Sequence, residues 1–190
     1  MSLWTRLQRR IGDLAGELVL DDFRIQLEQA QALLGKGDVG AAIETLEALL
    51  KVKPDHGQAL IMLGGARLAN REAQRALEAF LRAETQRGDD PAVHVGIGNA
   101  HVALGNYDVA VQPLAKAVAD AGGDRSILAE AYRGLGISWR RRGDLDKAIR
   151  ELRKAVAEDS DDLEARAALG EALVADGGPP CGRTSPGRRR

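Results

Sequence analysis

The residues of this sequence with the greatest potential for chemistry are His94 and His101, which stand seven positions apart in one predicted helix. Histidine is a common metal ligand and general base. Two helical turns separate the two side chains by about 10 Å, which is too far for one metal ion to bind both. Because no cysteine or other third ligand lies near them in the sequence, we interpret both histidines as packing residues and expect no metal site.

Three further features could carry chemistry, but the sequence around each of them favours another explanation. The glycines Gly96 and Gly98 follow no predicted strand, and no acidic residue follows them at the spacing of a dinucleotide-binding site. The single cysteine, Cys181, has no plausible base in a fixed pocket to activate its thiol. Acidic pairs such as Asp89 with Asp90 stand at predicted turns, where aspartate caps helices. The sequence therefore predicts a protein that is not an enzyme and binds no cofactor.

Composition and charge favour a helical protein and disfavour a nucleic-acid-binding one. The 190 residues are 44% hydrophobic, 29% charged and only 3% aromatic, so the core has to be built largely from alanine and leucine, the best helix formers. The formal net charge is -1, but arginines are concentrated at the two ends and the stretch between them is acidic. Nucleic-acid modules show the opposite charge and use aromatic residues for stacking.

The sequence patterns expected of a transmembrane or secreted protein are not found in these residues. No apolar run approaches the roughly 20 residues of a transmembrane helix. Arg9, Arg10 and Asp13 interrupt the apolar residues near the N-terminus, which argues against a signal peptide. We therefore expect a cytoplasmic protein, and the high usage of alanine, glycine and arginine is associated with a bacterial source.

Alignment of the sequence with itself gives a register of about 34 residues, a period associated with helix–turn–helix arrays. The blocks are 23–56, 57–90, 91–124 and 129–162, with residues 125–128 as an insertion and a partial fifth block at 163–176. In each block the first helix (helix A) has a small residue at one position, and the second (helix B) has an alanine followed four residues later by leucine or phenylalanine. These positions are Ala30, Gly64, Gly98, Gly136 and Gly170 in helix A, and Ala42, Ala76, Ala110 and Ala148 with Leu46, Phe80, Leu114 and Leu152 in helix B. Antiparallel helices approach closely where small side chains face each other.

The turns between helix A and helix B are also repeated. Gly37, Gly105 and Gly143 are placed to end helix A with a positive φ, and each precedes an Asp or Asn that can cap helix B. The second block has no glycine there, and we expect Asn70 to take the left-handed conformation instead.

This set of residues resembles the tetratricopeptide repeat family, in which a small residue in helix A faces an alanine and a leucine or aromatic residue in helix B. The resemblance covers residues 23–176 and implies an all-α fold, a right-handed α-solenoid of antiparallel helix pairs. The family's closing proline is matched only at Pro54. We predict four helix pairs followed by an unpaired helix, and a protein–protein interaction scaffold.

The ends of the chain are predicted to differ from the array. Residues 1–22 have the pattern of an amphipathic helix, which we interpret as a cap on the first repeat, with a membrane-surface or partner-docking helix as the alternative. Residues 177–190 are predicted to form a disordered basic tail. In the partial fifth repeat, Leu169, Leu173 and Val174 keep the apolar pattern of an internal helix. Two alternatives follow: a homodimer through this edge, or a module truncated from a larger enzyme or regulator.

The resemblance also implies a binding site, because in this family the inner faces of the A helices line a concave groove that receives a peptide or helix. The corresponding residues here are Leu27, Gln31, Leu34, Ile61, Gly65, Leu68, Val95, Asn99, Val102, Arg133, Ile137, Arg140 and Arg141. They are apolar in the first three blocks and basic in the fourth. We therefore predict a protein or peptide partner, amphipathic and with an acidic end. For Arg141 the alternative is a solvated helix C-terminus.

One subgroup of the family grips the C-terminal carboxylate of chaperones with Lys and Asn side chains. The matching positions here hold Leu27, Gln31, Met62, Ala92 and Gly96. None of these can form an ion pair with a carboxylate, so a chaperone-tail receptor is not expected.

Overall fold

The structure, a computed structural model, describes residues 23–177, and every regular element in that range is a helix. Within it, α1 covers residues 23–35. The helices that follow are α2 (Val39–Val52), α3 (Gly57–Ala69), α4 (Ala73–Arg87), α5 (Pro91–Ala103), α6 (Tyr107–Asp120), α7 (Arg125–Arg141), α8 (Leu145–Glu158) and α9 (Leu163–Ala175). The four predicted helix pairs and the final helix are therefore present, and the all-α solenoid is confirmed. The predicted N-terminal helix and residues 178–190 of the predicted tail lie outside the described residues.

The contacts between helices are local along the chain. From α2 to α9, each helix packs against the helices that precede and follow it in the sequence. In addition, α3 packs against α5, α5 against α7, and α7 against α9. Helices further apart than this make no contact in that part of the chain. The buried side chains accordingly form three successive clusters along the array. The first extends from α1 to α5, the second is centred on α6 and α7, and the third is formed by α8 and α9.

The small residues of helix A lie buried where the two helices of a repeat meet, as predicted for Gly64, Gly98 and Gly136. A Cβ placed on Gly98 would lie 2.6 Å from Cδ2 of Leu114, and one placed on Gly136 would lie 2.8 Å from Cδ2 of Leu152. Real carbon atoms do not approach so closely without a shift of one of them. Glycine therefore sets the distance between helix A and helix B in these repeats.

The turn residues follow the prediction in three repeats and depart from it in one. Gly37, Gly105 and Gly143 have positive φ, but in the second repeat Arg71 takes that conformation, with φ 63°, and not Asn70. The expectation for Asn70 was wrong because Asn70 is the C-cap of α3, as Leu104 is of α5 and Arg142 of α7, so the left-handed residue is Arg71, at the position that glycine occupies in the other repeats. A non-glycine residue there costs about 1–2 kcal/mol.

Side-chain caps begin most of the helices. Asp38, Asp90, Asp124 and Asp144 each accept a backbone N–H of the helix that follows. A cap that the sequence did not reveal is His56, whose Nδ1 accepts the N–H of Ala59 at 3.2 Å. Burial, together with the positive charges of Lys53 and Arg87, lowers the pKa of His56, which favours the neutral imidazole that this acceptor role requires.

Candidate binding groove

Two adjoining cavities of about 440 and 270 Å³ open along the inner faces of α3, α5 and α7. They share Gly65 and Leu68 of α3, Asn99 of α5 and Glu130 of α7, so they form one continuous depression, which we call the groove. Helix A of three consecutive repeats supplies most of its lining. Small residues at its floor, such as Gly65 and Ala103, leave the space open.

Most of the predicted groove residues are brought together here. Those that line the groove are Ile61, Gly65, Leu68, Val95, Asn99, Val102, Arg133 and Ile137. Five others are not among the residues that line it: Leu27, Gln31, Leu34, Arg140 and Arg141. The first three belong to α1, and Leu27 packs against the core. Arg141 lies over the ring of Tyr107, 6.0 Å from its centre.

The sequence-based prediction missed several lining residues, of which Ser126, Ile127, Glu130 and Gly134 belong to α7 and Glu164 to α9. The reason for the first two is that the inserted residues 125–128 form an additional first turn of α7, so that they belong to helix A of the fourth repeat. Asp124 caps that turn by accepting the N–H groups of Ser126 and Ile127. An aspartate before the extra residues was the available signal that the helix begins early.

The basic end predicted for the groove is largely neutralised within the chain. The guanidinium of Arg133 lies 3.1 Å from the carboxylate of Asp162 and 3.0 Å from that of Glu164. Arg140 pairs in the same way with Glu171 of α9. These partners come about 30 residues later in the chain, so spacing within one helix could not reveal them.

Glu130 is a carboxylate of the groove that takes part in none of these ion pairs. It lines both cavities, and within the described part of the chain its side chain makes neither a hydrogen bond nor an ion pair. Although part of the side chain is exposed, it stands in a concavity where protein replaces much of the surrounding water. That desolvation raises the pKa of Glu130; the charge of Arg133 opposes the shift, and that of Asp162 adds to it.

Asp162 connects the groove to the last helix, because it caps α9 while it pairs with Arg133. Its Oδ1 accepts the N–H groups of Glu164 and Ala165 at 2.9 and 3.0 Å. We expect Asp162→Ala to lower the free energy of unfolding by about 1–2 kcal/mol, the usual loss for an N-cap. Hydrogen exchange of the α9 amides and denaturation with urea would measure the effect.

Two variants serve as controls for that prediction. Asp162→Asn keeps the capping oxygen and should retain most of the stability. Asp161→Ala removes the neighbouring aspartate, which is exposed and caps no helix, and should have little effect. Equal losses for Asp161→Ala and Asp162→Ala would contradict the role of the cap.

His94 and His101 do not face the groove but line a separate cavity of about 250 Å³ among α4, α5 and α6. His94 is buried and His101 is half-buried. Within residues 23–177, no group of three or more His, Cys, Asp or Glu side chains is arranged to hold a metal ion. No helix in the same range combines the length and the apolar character needed to cross a bilayer.

The stacked helix pairs and the groove along the A helices define an α-solenoid of the kind that serves as a scaffold for protein–protein interactions. The sequence model of the tetratricopeptide repeat matches residues 27–91, 66–126, 95–162 and 134–180. Since these matches cover most of the sequence, the chain belongs to the tetratricopeptide repeat (TPR) family.

Solved structures of TPR proteins are similar to this chain over most of its length. One is TTC0263, a thermophilic TPR protein of Thermus thermophilus, with 25% identity, coverage of 82% of this chain and 83% of that one, and a TM-score of 0.69. MamA of Desulfovibrio magneticus RS-1 has 24% identity, coverage of 83% and 86%, and a TM-score of 0.66. YrrB, a TPR protein with an unusual peptide-binding site, has 17% identity, coverage of 80% and 76%, and a TM-score of 0.58. Comparison with curated proteins gives no match.

Proposed function

We propose that this protein is an adaptor that holds an amphipathic peptide or helix of a partner protein in the groove. The observation that carries the proposal is the open apolar floor, where Ile61, Leu68, Val95, Val102 and Ile137 line one depression across three repeats. An apolar floor with a few polar groups is suited to the apolar side of a peptide. The peptide-binding site of YrrB, on the same fold, supports this use of the solenoid.

The acidic end proposed for the partner belongs at the rim of the groove, by which we mean Arg140 and Arg141 in the last turn of α7, and not at the centre of the groove. At the centre, a partner carboxylate would have to displace both Asp162 and Glu164 from Arg133. At the rim, Glu171 is largely exposed, so a partner carboxylate can replace it at Arg140 at little cost. Arg141, the next residue, makes no ion pair with a described residue and adds positive charge at the same end of α7.

A blocked groove tests the proposal. Gly65 lines both cavities, and a Cβ placed on it would meet no atom within 4 Å, so Gly65→Phe fills the groove without disturbing the core. The probe is a phage-displayed library of random peptides of about ten residues, long enough to span three A helices spaced about 10 Å apart. We expect selected peptides to bind Gly65→Phe at least about tenfold more weakly than the unmodified chain, a change of about 1.4 kcal/mol.

The matched control is Gly40→Phe, which introduces the same side chain on α2 at an exposed position with nothing within 4 Å. Both variants should keep the circular dichroism spectrum of the unmodified chain, and Gly40→Phe should keep its affinity. Selected peptides that bind Gly65→Phe as tightly as the unmodified chain would place the binding site outside the groove.

The exposed apolar residues of α9 favour self-association as the second candidate function. Val174 is 59% exposed, whereas Leu169 and Leu173 pack against the third core cluster. The apolar surface that a dimer would bury is therefore smaller than the sequence pattern predicted. The third alternative is an accessory module of a larger enzyme or regulator. A cytoplasmic location in a bacterium stays a proposal based on composition.

A further inference from the structure

We infer that Glu130 determines the specificity of the groove by pairing with a lysine or arginine side chain of the bound peptide. The inference rests on the proposed function, because it names the chemistry of the partner at the same site. The proposed occupant of the groove is a peptide segment in which a basic residue is flanked by apolar residues.

The first argument comes from the charged residues around Glu130. From its own helix, Arg133 is the charged neighbour, and its guanidinium is already held by Asp162 and Glu164 at the start of α9. The residues that α3 and α5 contribute to the lining are all uncharged. Glu130 is therefore a carboxylate beside the apolar floor, and the cation nearest to it on α7, Arg133, is already paired with two other carboxylates. Complementary charge on the partner would compensate it.

A second acceptor lies close to this carboxylate. Asn99 also lines both cavities, and its side-chain amide makes no hydrogen bond within the described chain. Its Oδ1 lies beside Gly134, since a Cβ placed on that glycine would be 2.7 Å away from it. Residues 130 and 134 are one turn apart on the same face of α7, a separation of about 5–6 Å. The amide oxygen and the carboxylate can thus accept hydrogen bonds from one ammonium or guanidinium group.

Selection on charge variants tests the inference. The same peptide library is selected in parallel on the unmodified chain, on Glu130→Gln and on Glu130→Lys. We expect the unmodified chain to enrich Lys or Arg at one position between apolar residues. Glu130→Gln should lose that preference, and Glu130→Lys should enrich Asp or Glu at the same position, because the sign of the groove charge is reversed.

Affinities of one selected peptide make the test quantitative. Glu130→Gln should weaken its binding about tenfold, and replacement of the peptide's basic residue by norleucine should weaken binding to the unmodified chain by a similar factor of about ten. The two changes together should cost no more than either alone, which identifies the pair. Glu78→Gln is the matched control, because Glu78 is an exposed carboxylate of α4 that does not line the groove. This variant should keep the basic preference.

The remaining outcomes separate this inference from the function on which it rests. Two outcomes would overturn the role of Glu130 and leave the groove proposal standing. In the first, peptides that no longer bind Gly65→Phe carry no basic residue. In the second, Glu130→Gln enriches the same basic residue as strongly as the unmodified chain. Equal loss of the preference in Glu78→Gln and in Glu130→Gln also overturns that role. Failure to select any peptide that depends on the groove overturns the proposed function, and this inference with it.

Discussion

Replacement of Phe80 by alanine is expected to lower the free energy of unfolding by about 3–5 kcal/mol, the range for loss of a buried phenylalanine. The ring is 3% exposed and lies between two A helices. A Cβ placed on Gly64 of α3 would be 2.6 Å from Cζ of the ring, and one placed on Gly96 of α5 would be 2.5 Å from the same atom. Without the ring, two glycines would face an empty cavity that the backbone cannot close.

Denaturation with urea, followed by circular dichroism, would measure this loss. Leu81→Ala is the control, because Leu81 is the next residue on α4 but is 45% exposed, and its truncation should cost less than about 1 kcal/mol. Phe80→Leu should lose less than Phe80→Ala, since leucine fills the same position in the other repeats. A Phe80→Ala variant as stable as Leu81→Ala would contradict the described contact between helix A and helix B.

The second prediction compares two glycines at the same position of different repeats, Gly98 and Gly170. Replacement by alanine is expected to change the free energy of unfolding in opposite directions at the two positions. Gly98→Ala would place its Cβ 2.6 Å from Cδ2 of Leu114, a fully buried side chain. Overpacking of this kind costs about 1–3 kcal/mol, reduced by the roughly 1 kcal/mol that alanine gains in helix propensity. At Gly170 in α9 nothing lies within 4 Å, so Gly170→Ala should keep the propensity gain and stabilise the protein.

The difference between the two variants isolates the cost of overpacking, because both make the same chemical change in the same register. Gly136→Ala should behave like Gly98→Ala, since its Cβ would meet Leu152 in the same way. Midpoints of urea denaturation would show the opposite directions. A stabilising effect at all three positions would mean that helix B does not approach helix A as closely as described.

Much of the fold could be predicted because its determinants are local. The chain repeats with a register of about 34 residues, and within it the small residue of helix A and the turn glycines recur at fixed spacing. The small residue indicates close packing of helix A on helix B, and the glycine indicates the end of helix A. In the second turn the left-handed residue is Arg71, which stands at the same position as the turn glycines; it was missed because an arginine gives no sequence signal for a positive φ.

The groove was less predictable than the fold, because its charge depends on contacts between distant residues. From the sequence, Arg133 is a free cation; in the structure, Asp162 and Glu164 hold it. Ser126 was missed because the fourth repeat begins with the extra turn of α7. Glu130 was missed because the predicted groove positions begin three residues further along helix A, and the equivalent Ala92 of the third repeat was missed in the same way. The apolar positions of the groove were found because they follow helical periodicity, which charge pairing across repeats does not.

The local pattern of contacts has a consequence for how the chain folds. From α2 to α9 no helix contacts another more than two helices away, so only short loops have to close before native contacts form. Low contact order of this kind is associated with folding in microseconds to milliseconds. A nucleus can form in any repeat and spread to its neighbours. During synthesis the repeats that leave the ribosome first can therefore fold and close the first part of the core before the fourth repeat has been translated.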